Sequence, residues 1–179
     1  MNILTDEQIK DCRGLRPISA SINNGILRAY ETEAIHIYLL KIFDAKFLKE
    51  IADYNQQTDA TISQNSTFNN ILNGSIFQTP TGCKFQQGLP FALGYLMLSR
   101  FFNNQALIVS QNSVRKQKND LSETASPKEI KQLSRDCLNI GFILLKEVCQ
   151  YIKTTPYKSN VKNFEKISNS VINIQTLGN

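Results

Sequence analysis

The sequence predicts a mainly α fold: a small helical bundle with one short β-hairpin element and an extended C-terminal tail. Three observations predict it. Apolar residues recur at helical spacing over several stretches. The segment Gly88 to Phe102 is apolar almost all the way round, which a helix tolerates only when protein encloses it. A Pro80-Thr81-Gly82 turn separates two short segments with apolar, strand-forming residues. At 179 residues the chain suits one domain with a real core and is short for two, and 41% apolar content excludes a disordered chain.

Each element has a local reason. Thr5-Asp6-Glu7-Gln8 reads as a capping box opening a short helix, which Gly14-Leu15-Arg16-Pro17 breaks. A second helix is expected from about Asn24, where Leu27, Tyr30, Ala34, Ile37 and Tyr38 form one apolar stripe. Glu31 and Glu33 are read as lying near its start, where the helix dipole favours negative charge. Asp44 looks like a fresh N-cap for a helix carrying Phe47, Leu48, Ile51 and Ala52. From Asn55 to Asn70 the chain turns to Gln, Asn, Thr and Ser, so a surface loop is expected, with one helical turn over Phe68 to Leu72. The hairpin spans Ser75 to Gln87 and leads into the central helix. Ala106-Leu107-Ile108-Val109-Ser110 then reads as a brief β-prone run.

The last helix opens firmly. Ser126-Pro127-Lys128-Glu129 supplies an N-cap, a proline at the first helical position and a reciprocal glutamate. Along it, Ile130, Leu133, Cys137, Ile140, Leu144, Val148 and Ile152 recur at steps of three and four, the seam of a helix laid on a partner helix. Leu138, Phe142, Leu145 and Cys149 widen that seam enough to serve a core on one side and a neighbouring subunit on the other. Thr154-Thr155-Pro156 ends the helix. The expected division is therefore a helical domain over residues 1–155 and a tail over 156–179, in which Val161, Phe164, Ile167 and Val171 stand among Asn, Ser and Lys.

Charge is unevenly distributed. The net charge is +5, yet residues 1–55 carry seven basic and eight acidic side chains, while residues 113–179 carry eleven and six. That C-terminal excess suits nucleic acid or an acidic protein partner, or it is simply a solvated face. Arg115, Lys116 and Lys118 form its densest cluster, without the interleaved aromatics that single-strand recognition uses.

Catalytic patterns are missing. The single histidine, His36, falls inside a helix with no Cys or Ser nearby in sequence, and the chain contains no nucleophile elbow, phosphate loop or dinucleotide turn. Neither an enzyme nor a cofactor is expected. Cys12, Cys83, Cys137 and Cys149 are scattered without a C-x-x-C pair, so buried free thiols are expected rather than a zinc site or a disulfide framework. The first residues lack the signal-peptide pattern. The longest apolar run, Leu89 to Leu98, falls well short of the roughly 20 residues that cross a bilayer, so no membrane is expected as a partner.

The order Leu72-Asn73-Gly74-Ser75-Ile76-Phe77, then Gly88 to Phe102, then Ser113-Val114-Arg115-Lys116, then Leu121-Ser122-Glu123 and a closing long helix resembles the head-tail connector (adaptor, head-completion) proteins of tailed bacteriophages, most of all those of the crAss-like phages. The similarity covers about residues 20–153. It implies a structural virion protein of the capsid-tail neck, assembled in the host bacterial cytoplasm. Its subunits would form a homo-oligomeric ring, commonly of twelve, beneath the portal protein and above another neck or tail protein. It also implies that the tail inserts into the portal, with Val161, Phe164, Ile167 and Val171 as anchors. Arg115, Lys116 and Lys118 would face the DNA channel in transient, non-specific contact with the duplex, or else pair with Asp120, Glu123 or a neighbour. The alternative from a different class is a helical nucleic-acid-binding regulator using the basic C-terminal half.

Overall fold

Two long helices, α6 (Leu89–Gln111) and α7 (Pro127–Lys153), form the spine of the molecule and share its most extensive contact. The computed structural model describes residues 1–15, 23–56, 65–111, 126–162 and 164. In α6 the all-round apolar pattern has its expected result: Leu89, Ala92, Leu93, Leu96, Met97, Leu98 and Phe101 are all buried. The two helices meet where Gly141 removes a side chain. A Cβ at that position would lie 2.8 Å from Leu96 Cδ2 and 3.2 Å from the Leu96 backbone nitrogen. Nearby, the buried Ser134 hydroxyl donates to the Ser99 carbonyl at 2.9 Å, so the polar atom placed in this contact is satisfied.

The wide seam of α7 is used mostly by the chain itself. Cys137, Leu138, Phe142, Leu144, Leu145, Val148, Cys149 and Ile152 are buried, and Ile130, Leu133 and Ile140 are partly buried against the same core. Of the large apolar residues on this helix only Ile143 is strongly exposed, at 61%.

Shorter helices pack around the spine, and α1, α2, α4 and α5 each open on a side-chain cap. Helix α1 (Asp6–Leu15) has the expected box: Thr5 N donates to Gln8 Oε1 at 2.9 Å and Gln8 N to Thr5 Oγ1 at 3.2 Å. It crosses α6 at Gly94, where a Cβ would come within 2.6 Å of Cys12 Sγ. Helix α2 (Asn24–Ala34) is capped by Asn23 and runs on through a π-helical turn, Ile35–Leu39, into the short α3 (Leu40–Ile42). Asp44 Oδ1 accepts from Lys46 N at 2.8 Å and starts α4 (Ala45–Gln56).

Two stretches depart from expectation. Ser66–Asn73 is a full helix, α5, where a loop with a single turn was expected. Asn65 caps it by accepting from Thr67 N and Phe68 N, and Phe68, Ile71 and Leu72 bury one face. A good cap and three well-placed apolar residues outweigh a polar composition. The run Ala106–Ser110 is not a strand, because α6 continues through it to Gln111; a helix already formed overrides weak β-propensity.

After Lys153 the chain does not leave the body. The Thr154 and Thr155 hydroxyls close the helix by donating to the Tyr151 and Ile152 carbonyls, each at 2.7 Å. The segment then turns back through a short 3-10 turn, Lys158–Asn160. Asp44 N donates to the Asn160 carbonyl at 3.1 Å and Lys162 N to the Ile42 carbonyl at 2.7 Å, flanking a bridge between Phe43 and Val161. The Tyr157 ring lies 5.5 Å from that of Phe47 and 5.1 Å from that of Phe68, and Phe164 is buried with its ring 6.2 Å from that of Phe142. Residues 157–162 and Phe164, assigned to the tail by sequence, thus pack on the body, which reaches past the expected boundary at residue 155.

Candidate functional site

The hairpin presents two unlike faces. Strand β1 (Ser75–Thr79) pairs antiparallel with β2 (Gly82–Gln86), setting Ile76 opposite Phe85 and Phe77 opposite Lys84. Side chains alternate across the ribbon. On the inner face, Phe77 meets the Tyr151 ring of α7 edge-on at 5.7 Å and Lys84 Nζ donates to Gln150 Oε1 at 3.2 Å. Gln86, also inward, is fully buried, donating to the Asn70 carbonyl at 2.5 Å and accepting from Gly88 N at 2.7 Å. On the outer face Ile76 is 71% and Phe85 56% exposed.

The base of the ribbon is held rigidly. Gly74 and Gly88 adopt φ of 85° and 102°, and a Cβ on Gly88 would lie 2.3 Å from the Leu72 carbonyl oxygen. Scattered apolar residues on a surface need no explanation. A cross-strand apolar pair displayed on an anchored ribbon is a more specific feature, because such a pair is a unit of packing that here stays exposed among the described residues.

A recess lies beside the base of the hairpin. It is a cleft of about 220 Å³ whose walls include Cys12, Leu15, Leu72, Pro90 and Phe91, with Asp11 among its polar residues. Phe91 is 47% exposed there. A second groove, of about 720 Å³, is lined by Met1, Ile35, His36, Leu40, Lys49 and Asp53. His36 is exposed at its edge, with Nδ1 2.8 Å from the Thr32 carbonyl oxygen.

Glu31 corrects the sequence reading most sharply. It lies mid-way along the continuous helical run from Asn24 to Ile42, not near its start, and is fully buried. There the dipole gives a carboxylate no support, since it acts only within the terminal turns. Specific bonds replace it: Glu31 Oε1 accepts from Ile3 N at 2.8 Å and Leu4 N at 2.7 Å, and Oε2 pairs with Arg28 Nη1 at 2.7 Å. Burial acts to lower the Arg28 pKa, but bonds to Asp6 and Glu31 outweigh it and leave the guanidinium pKa raised. Glu33 likewise pairs with Arg100, at 2.5 Å.

Three of the four thiols are buried as expected, but Cys83 is exposed on β2. Burial, with smaller contributions from Glu31 and Asp11, pushes the Cys12 thiol up to about 12. Burial alone does the same for Cys149, against a small opposing effect of Lys153. At the underside of the hairpin, burial raises the Glu147 carboxyl while Lys84 partly offsets it.

The other expected site residues divide. Val161 is partly buried and Phe164 buried, both against the chain's own core, whereas Ile167, Val171, Arg115, Lys116 and Lys118 lie outside the described residues. Among the described residues no group of three or more His, Cys, Asp or Glu is placed to hold a metal, and no helix is long and apolar enough to cross a membrane. The outer hairpin face escaped sequence reading because Ile76 and Phe77 are adjacent and both apolar, so composition could not say which one faces out.

A family profile described as a family of unknown function (DUF6712) matches residues 46–166, about two thirds of the chain. No curated protein and no solved structure matches.

Proposed function

The chain belongs to the DUF6712 family of unknown function, and from that premise we propose that it is a structural virion protein, a neck ring subunit that links the capsid portal to the tail and continues the DNA channel. The observation that carries this reading is the Ile76–Phe85 pair, exposed among the described residues, on a ribbon whose other face packs Phe77 against Tyr151 of α7. A ring closed by a head-to-tail contact needs two different surfaces on each subunit that fit one another. The hairpin's outer face and the recess are one apolar pair and one concave surface, in which Leu15, Leu72 and Phe91 stand beside Gln8, Asp11 and Asn73. A second copy of the chain is the occupant proposed for each.

The resembled connectors supply the rest of the reading. Residues beyond Phe164, with Ile167 and Val171 as anchors, dock on the portal. Tyr157, Val161 and Phe164 are the root of that arm, seated on the body. Arg115, Lys116 and Lys118, on the stretch joining α6 to α7, face the channel and touch passing phosphates in a salt-sensitive way. The work done is assembly, and no bond is made or broken.

Light scattering on the purified chain, alone and with portal, tests the proposal. A ring is expected in at least one condition. Ile76→Asp with Phe85→Asp should reduce it to monomers without lowering thermal stability. The basic excess of residues 113–179 favours one other reading, a helical regulator of nucleic acid. A chain that stays monomeric or dimeric in both conditions and binds duplex DNA would support that alternative and reject the ring.

A further inference from the structure

The exposed arc of α7 is divided by charge. At about 100° per residue, Lys128, Lys131, Arg135, Lys146 and Lys153 fall within roughly 60° of one another and form one edge, about 37 Å long. Glu129, Asp136 and Glu147 fall on the other edge, and each is engaged inside the chain: Glu129 Oε2 accepts from Ser126 N, Asp136 Oδ1 accepts from Gln132 Nε2, and Glu147 stands near Lys84. The basic edge is not neutralised in this way. Lys128, Lys131, Lys146 and Lys153 are exposed and make no ion pair among the described residues. Lys128 and Lys131 stand three residues apart and Lys131 and Arg135 four, spacings at which like charges destabilise a helix; α4 shows the ordinary device, Lys49 paired with Asp53 four residues on. The C-terminal segment adds to the same side. Phe164 packs its ring on Phe142, in the middle of the edge, and the exposed Lys162 precedes it by two residues.

We propose that this edge of α7 binds the phosphate backbone of double-stranded DNA without sequence preference. A straight row of cations on a rigid helix attracts a polyanion and releases its counterions, and its length is close to the roughly 34–36 Å of one duplex turn. The edge has no exposed apolar centre of the kind around which protein interfaces are built, since the strongly exposed Ile143 lies towards the acidic edge. Nor does it carry an exposed aromatic ring on which unpaired bases could stack, which turns the choice from a single strand to a duplex. Lysine contacts to phosphate position a protein on the duplex and read no sequence. The inference rests on neither the ring nor the regulator reading: α7 makes the contact whether the chain encircles a duplex or lies on one, and Arg115, Lys116 and Lys118 are not needed for it.

Fluorescence anisotropy of a labelled DNA duplex, titrated with the full chain over a series of salt concentrations, tests it. Lys131→Gln, Lys146→Gln and Lys153→Gln together should lower the affinity about tenfold or more at low salt, and should flatten the dependence of log K on log salt by about one for each lysine that holds a phosphate. Lys10→Gln, Lys46→Gln and Lys49→Gln together remove the same charge from α1 and α4 and should change binding little. A duplex of unrelated sequence should bind equally well. Absence of salt-sensitive duplex binding, equal losses from the two triple variants, or displacement of the labelled duplex by poly-glutamate as readily as by unlabelled duplex overturns the proposal; the last result gives the edge to an acidic protein. Light scattering on the same samples reports assembly separately, so loss of the ring and loss of duplex binding are told apart.

Discussion

Glu31 shows how far a single residue can depart from its local signals. Its partners, Ile3 and Leu4, lie 28 and 27 residues away, so no helical pattern around position 31 could reveal them. Replacing it with alanine strands two buried amides and removes a partner of Arg28; a loss of about 3 kcal/mol is expected in urea unfolding. Glu147 has a smaller effect of the opposite sign. Its folded pKa is raised, so its contribution is present below the usual carboxylate range and lost as pH rises through the folded value. Glu147→Gln should therefore stabilise the protein slightly at neutral pH, by under about 0.5 kcal/mol, and this gain should vanish in acid. The thiols separate as clearly. In the native chain a thiol reagent should modify Cys83 alone, with Cys12 and Cys149 protected by burial and by pKa values of about 12, and all four should react after unfolding.

Three helix starts were legible because each is written within about four residues. Thr5, Asp44 and Ser126 all cap as their sequences indicate. What could not be read is what happens between elements. The π-helical turn at Ile35–Leu39 has no local signature, although it adjusts the helix so that Ile35, Tyr38, Leu39 and Ile42 are all buried. Gly141 reads as a defect in a long helix, yet it is the point at which α7 touches α6. Gly141→Ala gains up to about 1 kcal/mol of helix propensity but drives a methyl into Leu96. We expect the clash to win, with a net fall in thermal stability, since overpacking costs roughly 1–3 kcal/mol where backbone must shift. Leu96→Asp should abolish soluble folding, because the side chain has no water and no counter-charge in the core. Normal thermal unfolding of that variant would contradict the role given to α6.

At the scale of the whole molecule, Tyr157, Val161 and Phe164 pack on the core, so the body reaches at least to Phe164. Two truncations separate the parts. Removing residues 165–179 should leave the melting temperature unchanged and abolish capture by portal. Removing 157–179 should destabilise the body by several kcal/mol, because Phe47, Phe68 and Phe142 lose the rings of Tyr157 and Phe164. The placing of the C-terminal segment also sets an order in time. Ile3 and Leu4 already find Glu31 and Arg28 nearby in the chain, whereas Phe43 waits for Val161. The helical pair at the centre, joined by Ser99 and Ser134 across 35 residues, closes over a far shorter separation than that bridge, and local closures come first. A newly made chain therefore acquires its helical pair before this segment settles, and in the finished protein the segment opens more readily: the amide of Lys162 should exchange with solvent ahead of those of Leu93 and Leu96.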